Sequence, residues 1–89
     1  MAISFQVDWV SPPEHGIVTA RISNPQNFIL KGSPRIAGCT IRDVEPAASP
    51  EDGSLEADRF AFFLENQSEV GRFRIGQAIL LEGAELLPA

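Results

Sequence analysis

Histidine and cysteine each occur once in this chain, His15 and Cys39, and each is a candidate for acid–base or nucleophilic chemistry. An imidazole can serve as a general base or a pH switch. His15, however, stands beside Gly16 after "SPPE", where a solvent-exposed histidine in a turn is expected. A thiol attacks only as the thiolate and needs a positioned base. Cys39 lies in a strand-like stretch between Gly38 and Thr40 with no base assignable to it, so it reads as a small buried hydrophobe. One His and one Cys do not make a usual zinc site.

The carboxylates Asp43, Glu45, Glu51, Asp52, Glu56 and Asp58 crowd one stretch, but their spacing does not follow D-x-[DN]-x-[DN]-G. The stretch reads as a solvated loop, with an acidic docking face for a basic partner as the alternative. Arg72 and Arg74 flank Phe73, and Arg21 and Arg35 are expected to lie near them. Cations beside an exposed aromatic can hold a nucleic-acid strand. The same arginines can instead pair with Glu69 or Glu65 and brace a loop. Arg21, Arg72, Phe73, Arg74 and His15 are the candidate interaction residues. No cofactor-binding or metal-binding residues are assigned.

The totals narrow the classes. A chain of 89 residues is one domain, and a domain of this size buries only about 60–65% of its unfolded surface, so its large apolar side chains are needed for a core. A hydrophobic fraction of 44% argues against wholesale disorder. Six Phe, one Trp and no Tyr can fill an interior without buried hydroxyl partners. The net charge of −5 opposes generic binding to phosphate backbones. A single cysteine excludes an intramolecular disulfide and suits a reducing compartment. "MAISFQVDWV" lacks the basic and apolar regions of a signal peptide, and no apolar run is long enough for a membrane helix. Cytoplasmic location, with no membrane partner, is the expectation. The Asn66-Gln67-Ser68 sequon therefore has no secretory context.

The elements that must position these residues are strands. Ile3, Phe5, Val7 and Trp9 alternate with polar residues, which predicts a half-buried strand over 3–10 with Trp9 in the core or at its end. Pro12 and Pro13 end it. "IVTARIS" alternates again, and "NPQN" at 24–27 reads as a turn. Phe28, Ile29 and Leu30 form a short apolar patch before a turn at Lys31–Pro34. A strand over 35–45 changes parity between Ile36 and Cys39, which predicts a bulge near Gly38. "PAASPEDGS" reads as a loop with at most one helical turn. Residues 58–65 form a strand apolar on both faces, "NQSEVGRF" a loop, and "IGQAILLEG" the last strand, ended by Gly83. About six strands at regular spacing, without an amphipathic helix, predict an all-β fold. We expect a small, closed or partly open, six-stranded antiparallel β-barrel over 1–83 with a tail at 84–89.

Several segments, in order, resemble the second domain of elongation factor Tu and related translational GTPases. They are "FQVDWV", the glycine-led strand with Gly16, Val18 and Ile22, "ILKGSPRIAG", the apolar strand "DRFAFFLEN", and "RFRIGQAILLEG" with Arg74, Gly76 and Gln77 in the matching places. The resemblance implies a barrel of that kind, a tight turn at Gly76, and contact with tRNA ends or ribosomal RNA. The chain departs from the pattern at "PPEHG", where Glu14 and His15 replace a basic residue between glycines. No GxxxxGK[ST] is present, so this chain alone has no P-loop to cradle a nucleotide. The expected function is a non-catalytic protein-interaction or adaptor module, not an enzyme, without cofactor. The alternative is an RNA- or ribosome-associated module linked to translation.

Overall fold

The computed structural model describes residues 3–23, 27–48 and 53–87, except the side chains of 55–57. The strands are β1 (Ile3–Val10), β2 (Ile17–Ile22), β3 (Phe28–Ile36), β4 (Cys39–Ala48), β5 (Leu55–Leu64) and β6 (Ala78–Leu86), with a 3-10 helix, Gln67–Arg72, between the last two. They close into an antiparallel barrel in the order β1-β2-β5-β4-β3-β6. The expected all-β barrel is the observed one. Closure pairs β1 with both β2 and β6, so a strand this apolar presents no open edge.

Alternation places Ile3, Phe5 and Val7 of β1, Val18, Ala20 and Ile22 of β2, Phe62 and Leu64 of β5, and Ile79 and Leu81 of β6 in the core. Phe5 is the hub. Its ring meets Phe62 edge-on at 5.0 Å, Phe28 at 5.8 Å and Phe60 at 6.0 Å. Each such pair adds about 0.5–1.5 kcal/mol beyond area burial. The barrel interior is filled by these side chains, as small barrels require.

Trp9 departs from the expectation. Val7 faces Ala20 and Trp9 faces Thr19, so Asp8 and Trp9 together oppose one residue of β2. This bulge reverses the parity of β1. Trp9 turns outward and is 44% exposed, and Val10 takes the inward phase and packs against the core.

The parity change around Gly38 also has a different origin. Ile36 ends β3 and Cys39 begins β4; the pairs Ile36–Cys39 and Arg35–Thr40 form a hairpin. Ala37 and Gly38, both at positive φ (47° and 80°), make its two-residue turn. That geometry matches the right-handed twist of the flanking strands. The bulge lies further along, where Arg42 and Asp43 oppose Phe63 between the pairs Ile41–Leu64 and Val44–Phe62.

β3 runs straight through the expected turn at Lys31–Pro34. The turn chemistry there shows as a register shift against β6 between Leu30 and Arg35, with Gly32 at φ 74° and Pro34 unable to donate. Among the described residues β3 meets β4 only at the hairpin pairs. Pro34 on β3 and Pro46 on β4, which cannot donate to a ladder, lie on the two strands that flank this seam.

β6 continues past Gly83, so Ala84–Leu86 belong to the barrel, not to a tail, and pair with Leu30, Ile29 and Phe28. β5 begins at Leu55, three residues earlier than the sequence suggests. The turn at 24–26, the loop residues 49–52 and the last two residues lie outside the described residues.

Candidate functional site

The β1–β2 turn carries His15. Ser11 builds it: its hydroxyl accepts from the Ile17 amide at 2.9 Å and donates to the Pro12 carbonyl at 2.9 Å. The Pro12 carbonyl also accepts from the amides of His15 (3.0 Å) and Gly16 (3.4 Å). His15 is thereby held exposed, and its imidazole makes no hydrogen bond among the described residues.

The loop read as "NQSEVGRF" is mostly helix. Asn66 caps it, its Oδ1 accepting from the Ser68 amide at 3.2 Å and the Ser68 hydroxyl at 2.8 Å. Val70 and Phe73, three residues apart, both turn inward and are buried. Phe73 is therefore core, not an exposed stacking platform. Arg72 lies 3.7 Å from Glu69 one turn back, the bracing alternative of the sequence reading. Arg74 is exposed; its amide donates to Gln77 Oε1 in the Arg74–Gln77 turn, where Gly76 has a φ of 91°.

Cys39 is fully buried. Burial first, and the Glu69 carboxylate second, push its thiol above the ordinary value, with Arg72 opposing. The group is thus held as an inert thiol. Among the described residues no three His, Cys, Asp or Glu side chains converge on a point that could hold a metal.

Arg21 is on the outer face of β2 and does not join Arg72 and Arg74. It lies five residues beyond Gly16, the end of β2 packed on Gln67, which is about 16 Å along an extended strand. Its guanidinium is 3.0 Å from Asp58 and 3.7 Å from Asp8. Beside it lies Arg59, which the sequence reading missed. Arg59 Nε and Nη2 donate to the two Asp8 oxygens at 2.8 and 3.4 Å, and Nη1 donates to the Ala48 carbonyl. Arg59 is directly opposite Arg21, so two like charges share a rung and Asp8 and Asp58 offset them.

These positions define an outer face. Strand register aligns Trp9, Thr19, Ala61 and Glu45 in one row, and Ile17, Phe63 and the Arg42–Asp43 bulge in the next. Ile17, Ala61 and Phe63 are half-buried and Trp9 is exposed. The Arg42 guanidinium lies 5.8 Å from the Phe63 ring centroid. An open groove of about 630 Å³ runs between the β1–β2 turn and the end of β5, lined by Pro13, Glu14, Arg42, Leu64, Glu65 and Asn66 among others. A second hollow of about 360 Å³ is lined by Arg42, Asp43, Glu45 and Phe63.

No helix among the described residues is long and apolar enough to cross a membrane. No family model, no curated protein and no solved structure matches this chain.

Proposed function

We propose that this chain is a non-catalytic protein-interaction or adaptor barrel, acting in the cytoplasm, with β1–β2–β5–β4 as its working face. The observation that carries the reading is Trp9. A bulge removes it from the core phase and sets it, 44% exposed, beside half-buried Ile17, Ala61 and Phe63. Tryptophan flanked by apolar surface and a polar rim is the composition from which interface hot spots are made. The filled interior directs attention to the outside as well. A closed six-stranded antiparallel barrel is also the form that the resemblance to the second domain of translational GTPases implies.

Association through RNA finds less support. Arg21 and Arg72 already face carboxylates, and Phe73 is not available for stacking. Photo-crosslinking tests the protein-interaction reading. With p-benzoylphenylalanine replacing Trp9 or Ala61, a discrete protein adduct is expected in cells; with the same group replacing exposed Ile29 it is not. Absence of any adduct from both working-face positions would remove the reading, and an adduct with RNA would replace it.

A further inference from the structure

Resting on that reading, we infer that the groove at the β4–β5 end of the working face takes an extended segment of a protein partner in which basic residues alternate with apolar ones. The two hollows adjoin at Arg42, which lines both. Each hollow carries two carboxylates: Glu14 and Glu65 in the larger, Asp43 and Glu45 in the smaller. Among the described residues none of these four has a cation within ion-pair distance. The single cation of the two hollows, Arg42, lies over the Phe63 ring. Four carboxylates against one guanidinium leave a surplus of three negative charges around the apolar surface of Phe63 and Pro13.

That pattern selects for its occupant. A phosphate backbone is repelled, and an acidic or neutral peptide leaves the carboxylates uncompensated. An extended chain sends alternate side chains to opposite sides, so a segment alternating basic and apolar residues presents cations together along one side. Arg42 and Phe63 already display, within the chain, the pairing of guanidinium and ring that an incoming arginine would repeat.

The test titrates the 15N-labelled full chain with Ac-Leu-Arg-Leu-Arg-Leu-Arg-NH2, with its Glu-for-Arg counterpart and with spermine, following amide shifts. The basic peptide is expected to shift Arg42, Phe63, Leu64, Glu65 and Asn66 saturably, and to bind at least about fivefold more weakly in Glu65→Gln and in Glu45→Gln. Glu82→Gln, on exposed β6, is the charge-matched control and is expected to leave affinity unchanged. Phe63→Leu keeps an apolar side chain in the outer face and is expected to weaken the peptide without affecting spermine. Shifts spread over all acidic surfaces, equal weakening by Glu82→Gln, equal saturation by spermine at the same amides, or no shift at the groove would each overturn the inference. Crosslinking from position 9 with a failed peptide titration would leave the interaction reading standing and remove only this occupant.

Discussion

Replacing Asp8 by Ala tests how the working face is held together. Arg59 is the most deeply placed charge among the described residues, its side chain 8% exposed, and Asp8 grips it through two oxygens. Removing one partner of a buried pair costs about 3–5 kcal/mol, because the other charge is left without compensation. Asp8 is 28% exposed, so water recovers part of its loss, and Ala48 still accepts one guanidinium hydrogen. The expected cost is therefore about 2–4 kcal/mol, or a fall in Tm on the order of 10 °C or more for a domain of this size. Arg59→Met removes the charge that needs compensation and keeps most of the volume. Asp8 then remains near Arg21 and solvent, and the expected cost is about 0–1.5 kcal/mol. The double variant is expected to resemble Arg59→Met alone, which gives a coupling equal to the cost of Asp8→Ala, about 2–4 kcal/mol. Urea denaturation of the four proteins measures it. A cost below about 0.5 kcal/mol for Asp8→Ala, or additivity of the two changes, would refute the account of a compensated buried guanidinium.

Gly83→Ala sets a Cβ 2.7 Å from the Pro34 Cα and 2.9 Å from the Ser33 carbonyl oxygen, both backbone atoms, at a φ of 75°. Gly32→Ala meets a similar φ of 74° in open space. Urea denaturation is expected to give about 1–2 kcal/mol for Gly32→Ala and at least about 2 kcal/mol more for Gly83→Ala; equal losses would show that β6 and β3 do not approach this closely at that point. Cys39 is expected to resist maleimide at neutral pH until the chain is unfolded. Its raised pKa means that the folded state holds the proton more tightly than the unfolded one. The corresponding stability is complete below the unfolded thiol's pKa and is lost as pH rises from there through the folded value. Cys39→Ala should flatten that alkaline limb of stability against pH, and an unchanged limb would assign it to another group.

The fold was legible because its evidence is local. Val7 and Phe5 declare the inward face of β1, and Phe62 and Leu64 that of β5, by period alone. Gly38 announced a break in its strand, and the break is a hairpin turn because Ala37 joins it at positive φ, which nothing in the side chain of an alanine signals. The 3-10 helix did leave a signal. Asn66 followed by Glu69 at the third position is a helix-start pattern, and Val70 and Phe73 at spacing three share a face. Read that way, Phe73 goes inward and the two arginines beside it lose their platform.

The working face was not legible, because each of its parts depends on pairing across strands. A bulge is defined by two residues opposing one, and the opposing residue is Thr19 for Asp8–Trp9 and Phe63 for Arg42–Asp43. Neither partner is near in sequence, so period-two counting carried Trp9 into the core. The same device has two consequences at both sites. It turns an adjacent pair of side chains outward and places a charge among them: Asp8, which holds Arg59, and Arg42, which lies over the Phe63 ring. Neither bulge empties the core, since Val10 and Val44 resume the inward phase one residue later; the one on β1 carries the Trp9 ring to solvent and the one on β4 carries two charges there. The outward and inward phases are thus separated by one residue on each strand. Deleting Asp8 would remove the extra residue and with it the carboxylate that holds Arg59, while Val7 and Val10 keep the inward phase and the tryptophan stays on the outer face.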